Sequence, residues 1–429
     1  MKNAVLAGLI VLFCSAVAAP EAHAIPAFAR RTGMGCPACH VSWPKLTDFG
    51  EGFKDRGFRV RSDNPDLPDH PLDYVPVAIR TTTGYLGQTL THQPTDVGDT
   101  TVRTGGMLPT AADILFATAL SEHVSVLVVA TGFADDGIVT LESDWARIND
   151  LGTSWANLKV GKHEVDLPAS EHRTYTLTSE YLVYHYHPEG SSNGFSIGDN
   201  QLGVEIAGHG DGPGLRYAVS LISAGGNPGS ANAFSAPAAY GHVTWTCLPS
   251  SRVIARVRLG IFGDGGLSPT VFRTSTEPGG SPIPVPGTGT AHKPFYQAGF
   301  DASVSLGSLA RPLDLTAVLL YGREDKGMIA GATRDASWQG GFVSVDYTPM
   351  LEATIFGRIE AVLAGQQADP TLPSVTGDAT GATVGIRHAL WMSPWGGATA
   401  HLEGSMNRVQ TPGPKVDTST LLAGIDFAF

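Results

Sequence analysis

The feature that most constrains the fold is a period-two alternation of apolar and polar residues, which recurs from residue 75 to the C-terminus. In the last segment, TLLAGIDFAF, Ile425 lies on an apolar face and Asp426 on the opposite face. This period predicts β-strands, and about sixteen such segments can be counted. Charged residues inside otherwise apolar segments, such as Arg256 and Arg258 in RVIARVRLGI, suit a wet lumen better than a dry sandwich core.

The connections between these segments alternate in length. Seven are short, near residues 121–123, 150–154, 209–214, 248–251, 307–312, 348–349 and 393–396. Eight are longer, over residues 86–109, 133–141, 164–197, 223–238, 262–292, 323–336, 365–379 and 408–417. Sixteen antiparallel strands whose two chain ends share a side need seven turns there and eight loops opposite. The sequence therefore predicts an all-β fold, an antiparallel transmembrane β-barrel of about sixteen strands like that of porins.

The N-terminus and the composition predict where this barrel resides. Lys2, an apolar segment and the triplet Ala22-His23-Ala24 predict a secretory signal peptide that is cleaved after Ala24. The chain has 52 glycines and only 16% charged residues, and no later stretch is apolar enough for a membrane-spanning helix. We expect the outer membrane of a Gram-negative bacterium, with outer-membrane lipid around the barrel. A soluble periplasmic sandwich or propeller is the alternative, although the sequence has no repeat of fixed period, which weighs against a propeller.

The motif CPACH carries the most specific chemistry in the chain. Cys36 and Cys39 suit thioether bonds to one haem c, with His40 as an axial ligand of the iron. Redox disulfides and zinc sites also use C-x-x-C, but they require a βαβ context or a second ligand pair that the sequence lacks. The remaining cysteine of the mature chain, Cys247, is predicted on the outward, lipid-facing side of a strand.

The residues after the motif predict a short helix. Ser42 suits the N-cap and Pro44 the first turn, and Leu46, Phe49 and Phe53 then recur at helical spacing. Their apolar stripe would pack on the porphyrin or seat the segment in the barrel mouth. The predicted organisation is a signal peptide over residues 1–24, a monohaem cytochrome c plug and linker over residues 25–74, and the barrel over residues 75–429.

A signal peptide, the segment IPAFARRTGMGCPACHVSWPKLTDFGEGFKDRGF and a porin-like barrel together resemble the fused monohaem cytochrome-porins of the outer membrane. That family includes the iron-oxidising outer-membrane c-type cytochromes. The similarity is specific over residues 25–58, where Cys36, Cys39 and His40 match the haem motif. It implies electron transfer from an extracellular reductant such as Fe(II), through one haem, to a periplasmic cytochrome or another acceptor. With Fe(II) as donor, the activity would be that of an Fe(II):cytochrome c oxidoreductase; the motif itself does not specify the donor.

Two other functions fit the sequence. One is a diffusion porin whose haem segment is a structural plug or a sensor, and the other is a soluble periplasmic all-β cytochrome. The net charge of -12 comes from the barrel, because residues 25–74 carry seven basic and seven acidic side chains. An acidic mouth would concentrate cations, although acidic loops are also ordinary on outer-membrane surfaces. No nucleic-acid partner is expected.

The motif leaves the second axial ligand of the haem iron open. His70, in the Pro-rich linker, is far enough along the chain to fold back, although a linker histidine is more often simply exposed. His242 or His401 would serve if the plug enters the lumen. Met34 lies too close to Cys36 to reach the far face of the porphyrin.

A second group of metal-binding residue types lies in the longest connection. His163, Glu164, Asp166, His172 and His185 supply nitrogen and oxygen donors of the kind that bind Fe(II) and similar ions. They form a candidate external metal-ion site. The alternative is that these residues have a structural role, because His163 and Glu164 end a strand and Asp166 suits a turn. This connection is the third long one, the position at which a porin loop often folds inward and narrows the lumen.

Overall fold

The computed structural model is a closed antiparallel β-barrel that contains its own N-terminal segment. It describes residues 26–60, 76–95, 98–107, 111–132, 139–188, 191–210, 212–223, 237–270, 274–275, 283–284, 292–309, 311–329, 332–365, 377–393, 396–410 and 416–428. Sixteen strand positions form the wall, each hydrogen-bonded to its neighbours in sequence, and the last strand closes on the first. The predicted fold class is therefore confirmed. The predicted signal peptide lies outside the described residues.

The first strand is the longest, with 19 residues, the others of the first half are short, and those of the second half are longer. In chain order they are β1 Val77–Thr95, β2 in two segments, Gly98–Met107 and Ala111–Ala119, β3 Val124–Gly132, β4 Thr140–Ile148, β5 Asn157–His163, β6 Gln201–His209, β7 Leu215–Ser223, β8 Pro237–Cys247, β9 Ile254–Pro269, β10 His292–Ser308, β11 Arg311–Glu324, β12 Ala336–Met350, β13 Ala353–Ala364, β14 Ala379–Ser393, β15 Gly396–Val409 and β16 Val416–Ala428.

The second strand is interrupted but fills one position in the wall. Its first segment, Gly98–Met107, pairs with the C-terminal half of β1, as in Leu86↔Gly106. Its second segment, Ala111–Ala119, pairs with the N-terminal half of β1, as in Ile79↔Ile114. Most of residues 86–109, predicted as the first long loop, therefore forms a β-hairpin. No apolar alternation marks this stretch, because the residues on both faces of the hairpin are mostly polar.

Side chains of the wall alternate between the outer surface and the lumen. In β11, Leu319 is 68% exposed whereas its neighbour Val318 is 0% exposed, and Phe300 of β10 is 67% exposed. The lumen side buries charged groups such as Arg387 and Glu403. An apolar outer surface around a polar interior is the pattern of transmembrane barrels.

The seven short turns lie at one end of the barrel, as the sequence predicts, and the other end carries the β1–β2 hairpin and the seven other connections that were predicted to be long. The wall begins at Val77 and ends at Ala428, which pairs with Arg80, so both ends of the wall lie with the short turns. We name these two ends the short-turn end and the long-loop end. Cys247, the last residue of β8, is exposed on the outer surface, as predicted.

Residues 26–60, named the plug, contain three short helices and a small β-ribbon. The helices are α1 Pro26–Thr32, α2 Cys36–Cys39 and α3 Asp48–Asp55, and the ribbon joins His40–Ser42 to Lys45–Leu46. The helix after the motif begins later than predicted, because Thr47 rather than Ser42 caps it by accepting from the amide of Gly50. None of the helices within the described residues has the length and apolar content to cross a membrane.

Aromatic side chains hold the plug together and join it to the wall. The Phe28 ring centroid lies 5.1 Å from that of Phe53 and 4.9 Å from that of Phe58. Phe58 in turn stacks on Trp145 of β4 at 5.7 Å. Phe53 therefore packs in this cluster, whereas Phe49 of the predicted stripe is 36% exposed.

Residues 164–200, named the inward loop, fold into the lumen, as the sequence predicts. They include a short helix, α4 Leu182–His185. The amides of Leu177 and Leu182 donate to Glu403 and Glu360 of the opposite wall, each at 2.8 Å. Tyr181 packs on Phe342 of β12 with 4.3 Å between ring centroids. The inward loop thus crosses the lumen and shares an apolar core with the wall.

Candidate functional site

The plug lies inside the barrel at the short-turn end, held by charged and polar side chains of the wall. Arg147 donates to the Asp55 carbonyl oxygen at 2.5 Å, and His209 Nε2 lies 3.1 Å from the same oxygen. The Asp55 carboxylate forms an ion pair with Arg216 at 3.0 Å. All three wall residues are close to a short turn, which places the end of α3 at that end of the lumen.

A lysine of the plug neutralises two facing carboxylates of the wall. Lys45 Nζ lies 2.8 Å from Asp314 Oδ2 and 2.8 Å from Asp346 Oδ2, and these two aspartates are directly paired across β11 and β12. Burial acts to lower the pKa of Lys45, but the two carboxylates outweigh it and raise that pKa. The pairing fixes the ribbon that follows the CPACH motif against the wall.

Trp43, in the turn of that ribbon, lies between two arginines of the wall. The guanidinium carbon of Arg80 is 4.9 Å from the indole centroid and that of Arg387 is 5.2 Å away. Arg387 is itself paired with Asp426. Cation–π contacts between partly desolvated groups add to the anchoring of this segment.

The CPACH motif begins inside α2 and ends in the ribbon. His40 is 8% exposed, and its Nδ1 lies 3.2 Å from the Pro44 carbonyl oxygen. Burial lowers the pKa of His40 to about 4, against the opposing effect of the Pro44 and Lys45 backbone. The imidazole is therefore neutral at physiological pH, which is the state that binds metals.

Helix α3 packs directly on the cysteine segment. Thr47 donates its amide to the Cys39 carbonyl oxygen at 2.9 Å and its hydroxyl to the Ala38 carbonyl oxygen at 2.9 Å. A Cβ atom at Gly50 would overlap the Cys39 carbonyl oxygen, so this contact requires glycine. The backbone of the motif is thus fixed by its neighbours.

The residues present fit a c-type haem. The Pro44 carbonyl engages Nδ1 of His40, which is how backbone groups orient metal-ligating imidazoles through their other nitrogen. Cys39 has a free thiol and is partly exposed, and burial raises the pKa of that thiol. Cys36 begins α2, and its side chain lies outside the described side chains.

The candidates for the opposite axial position are not beside the motif in the described residues. His70 lies outside the described residues. His242 is engaged on both sides, with Nδ1 3.1 Å from Asp166 and Nε2 3.0 Å from Asp301. His401 Nε2 lies 2.9 Å from Glu403. These two histidines bind the wall and the inward loop.

The five residues of the predicted external metal site do not come together. His163 faces Glu205 at 3.8 Å, Glu164 pairs with Arg173 at 2.9 Å, Asp166 pairs with Arg216 at 2.9 Å, His172 pairs with Glu142 at 2.9 Å and His185 faces Glu171 at 3.4 Å. Across the described ranges, no group of three or more His, Cys, Asp or Glu side chains could hold a metal ion. Each of the five side chains lies against a different charged residue, so a structural role fits them better than a shared metal-ion site.

The two histidines of the inward loop in this set, His172 and His185, have raised pKa values. Burial acts to lower the pKa of His172, but its hydrogen bond to Glu142 and the negative charges of Glu164 and Glu142 together outweigh burial and raise the pKa. Burial also acts to lower the pKa of His185, and Glu171, with smaller contributions from Glu180 and Asp199, raises it. Both pairs hold the inward loop in place most strongly when the imidazole is charged.

A vestibule of about 1180 Å³ lies between the inward loop and the long-loop end. Its charged lining comprises Glu142, Glu171, Glu180, Asp199 and Lys162. The lining also contains three histidines, His172, His185 and His187. The four carboxylates outnumber Lys162 and the two histidines with raised pKa values, so the vestibule keeps a net negative charge. Such a surface concentrates cations.

Sequence reasoning missed the residues that seat the plug. Lys45, Asp314, Asp346 and Arg216 were not singled out, because their roles depend on contacts between segments far apart in the chain. The available signal was the presence of charged residues on the lumen face of strands near the short turns. Asp166, predicted as a metal ligand, belongs to this set through Arg216.

Comparison with known proteins identifies the barrel. No protein-family model and no curated protein matches the sequence. Among solved structures, the chain is similar to an anion-selective porin from Comamonas acidovorans, with a TM-score of 0.54 and 11% identity over 82% of this chain and 99% of that one. It is also similar to a loop L8 deletion mutant of OmpT, an outer membrane protein of Vibrio cholerae, with a TM-score of 0.50 and 10% identity over 82% of this chain and 100% of that one. At these identities the likeness concerns the fold alone.

Proposed function

We propose that this protein is an outer-membrane barrel of the porin type whose lumen is filled by its own plug and inward loop. The likeness to porin barrels and the apolar outer surface support the location. The short turns would then face the periplasm and the vestibule the exterior. The ion pairs of Lys45 and Asp55 support a plug that is part of the folded barrel.

We further propose that the plug holds one haem c. The observation that carries this proposal is the buried His40, whose Nδ1 faces the Pro44 carbonyl directly after the CPAC helix. Cys36 and Cys39 would hold the group covalently, and Nε2 of His40 would ligate the iron. The haem would supply one-electron redox chemistry. The chain's own part is to orient the imidazole, keep it neutral and fix the segment at the short-turn end.

In this proposal the protein moves electrons between the two sides of the outer membrane. An extracellular reductant, with Fe(II) as the candidate, would give up an electron from the vestibule side, and a periplasmic cytochrome would receive it at the short-turn end. The acidic vestibule supports a cationic donor. An insoluble oxidised product could then stay outside the cell.

The second candidate function is a diffusion porin in which the plug is a structural element or a sensor. The fold comparison favours this function, because the structure from Comamonas acidovorans to which the chain is similar is a porin. The two functions differ in what crosses the barrel: small solutes in one case and electrons in the other.

One experiment with two arms separates them. The full-length protein, purified in detergent and oxidised, is mixed rapidly with Fe(II) while haem absorbance is followed; the same preparation is then placed in planar bilayers. Electron transfer predicts prompt haem reduction, reoxidation by a periplasmic cytochrome, and little ion conductance. A matched C36A/C39A variant should lose the optical change. A steady conductance with a haem that Fe(II) fails to reduce would leave the diffusion porin as the function.

A further inference from the structure

The vestibule is lined by histidines as well as by permanent charges, so its net charge depends on pH. The histidines are His172, His185 and His187, all of the inward loop. An imidazole ordinarily changes its charge near about pH 6.5, whereas carboxylates and lysine ordinarily keep theirs between about pH 5.5 and about pH 9. A change in the charge of the vestibule over this range therefore comes from these three side chains.

His172 faces the vestibule from the first part of the inward loop. Its Nδ1 lies 2.9 Å from Glu142 Oε1 of β4, and both side chains are 35% exposed. Asp113 of β2 is a second wall carboxylate close enough to act electrostatically on both. Within the loop, the ion pair of Glu164 with Arg173 lies beside His172. Because a third of the imidazole is exposed, it exchanges protons with the solution that fills the vestibule.

His185 is oriented so that one particular nitrogen takes up the proton. The Ser196 hydroxyl donates to the Tyr184 carbonyl oxygen at 2.9 Å, so its oxygen, 2.8 Å from His185 Nδ1, accepts from that nitrogen. Nε2 is then the nitrogen that titrates, and it lies 3.4 Å from Glu171 and 3.8 Å from Glu180. Protonation there places a positive charge beside two carboxylates of the vestibule.

The other charged groups around His185 keep their charge over this pH range. Asp199, also of the inward loop, acts on it from within the loop. From the wall, Glu360 of β13 accepts from an amide of α4 at 2.8 Å and pairs with Arg358 at 3.1 Å. The two imidazoles are therefore the groups that change.

Protonation of His172 and His185 nearly cancels the negative charge of the vestibule. With both protonated, the four carboxylates of the lining face three cations, the two imidazoles and Lys162. With both neutral, the same carboxylates face Lys162 alone. His187 does not alter this comparison, because its Nδ1 lies 3.2 Å from Glu324, a carboxylate of β11 that is fully buried behind the lining.

Both imidazoles stay charged to a higher pH than a free histidine. Burial acts to lower their pKa values, but the carboxylates beside them outweigh burial and raise both. Each positive charge is fully present below about pH 6.5 and is lost as the pH rises through the raised value. The charge of the vestibule therefore changes above about pH 6.5.

We propose that protonation of His172 and His185 controls how strongly the vestibule attracts multivalent cations. At acid pH the imidazoles neutralise Glu142 and Glu171, and the attraction is weak. Once the imidazoles are neutral, these carboxylates act on a cation in the vestibule, and the attraction is strong. The consequence for electron donation rests on the function proposed above: a cationic donor would be captured less readily at acid pH. The change in charge itself does not depend on haem.

The test is titration calorimetry of the oxidised full-length protein in detergent with hexaamminecobalt(III). The ammine ligands of this trivalent cation are inert, so its binding reports charge rather than coordination by imidazole. Two charges at about 10 Å change the affinity of a trivalent cation roughly fivefold at about 0.1 M ionic strength. We expect binding roughly fivefold tighter at about pH 9 than at about pH 5.5, and a larger ratio at about 0.01 M.

Matched variants separate these two histidines from the rest of the protein. H172Q/H185Q should bind the probe with the same affinity, within about twofold, at both pH values. H123Q should keep the native ratio, because His123 is exposed in a short turn at the opposite end of the barrel. Heat-modifiable electrophoretic mobility would show that each variant is a folded barrel.

Equal affinity of the native protein at the two pH values, or the native ratio in folded H172Q/H185Q, would overturn the proposal. The haem-free C36A/C39A variant should show the native ratio. Loss of the ratio in folded C36A/C39A would assign the pH dependence to the haem segment and would also overturn the proposal. If the ratio is observed but Fe(II) fails to reduce the haem, the electron-transfer function fails and the control of the vestibule charge stands.

Discussion

Removing the charge of Lys45 should loosen the plug inside the lumen. Lys45 Nζ contacts Asp314 and Asp346 at 2.8 Å each, and the three side chains are 23%, 6% and 19% exposed. In K45M, two carboxylates that face each other across neighbouring strands lose their common counter-ion. Breaking a buried ion pair on one side costs about 3–5 kcal/mol. The partial exposure of Lys45 places the expected cost at about 3 kcal/mol, which shifts the docking equilibrium of the plug roughly a hundredfold.

Hydrogen exchange measures this equilibrium directly, because the amides of α3 exchange when the plug opens. We expect roughly hundredfold faster exchange over Asp48–Asp55 in K45M, with the strands of the wall unchanged. The matched control is K162M, since Lys162 donates only to the Leu141 carbonyl oxygen in the contacts described. K45M combined with D314N and D346N removes the stranded charges and should recover part of the protection. Equal exchange of α3 in K45M and the native protein would refute the reasoning.

Three further outcomes follow from the contacts described. G50A should lower the haem content of the purified protein, because the new Cβ overlaps the Cys39 carbonyl oxygen. The matched control is G52A, in which the Cβ meets only the flexible end of the Arg56 side chain at 2.8 Å, so the haem content should not change. The raised pKa of His172 makes its pairing with Glu142 strongest below about pH 6.5 and progressively lost as the pH rises through the raised value. Tryptic cleavage of the inward loop, divided at each pH by the cleavage rate of the denatured chain, should therefore quicken as the pH rises above about 6.5; a ratio that does not change with pH would contradict this pairing. H172A should change the rate of haem reduction by Fe(II) by less than about twofold, because His172 belongs to a single ion pair rather than a metal cluster; a loss of roughly tenfold would restore the metal-site hypothesis.

The wall was predictable from the sequence because its constraint is local. The alternation that placed Ile425 and Asp426 on opposite faces holds along β16, and the alternation of short and long connections gave the correct count of strands. The prediction failed in the β1–β2 hairpin, since strands that are polar on both faces have no periodicity to reveal them. Folding of the inward loop into the lumen was predicted from its place in the order of the loops.

For the candidate site, only the residues of one short motif could be singled out from the sequence, and their binding of haem stays a prediction. Cys36, Cys39 and His40 are adjacent in the chain, and their arrangement at α2 follows from that spacing. The partners that seat the plug and disperse the proposed metal ligands come from distant strands. Glu142 pairs with His172, and Arg216 pairs with Asp166. The members of each pair are far apart in the sequence, so no local sequence pattern predicts the pairing. Their electrostatic pairing decides the geometry, and the sequence gives only the residue types.

The helix after the motif shows the same limit on a smaller scale. Ser42 and Thr47 are both good N-cap residues, and the sequence alone favoured the first. The chain instead forms a two-stranded ribbon at Ser42, and the hydroxyl of Thr47 accepts from the amide of Gly50. Packing of Gly50 on Cys39 selects this start.

The most direct test of the account is the haem content of the purified, fully denatured protein. The chain is produced with its signal peptide in a host that matures c-type cytochromes, and the haem that stays with the chain after heating in detergent is measured as a pyridine haemochrome. The account predicts one haem per chain, lost in C36A/C39A while the barrel still folds. A folded, membrane-inserted native barrel without covalent haem would contradict it.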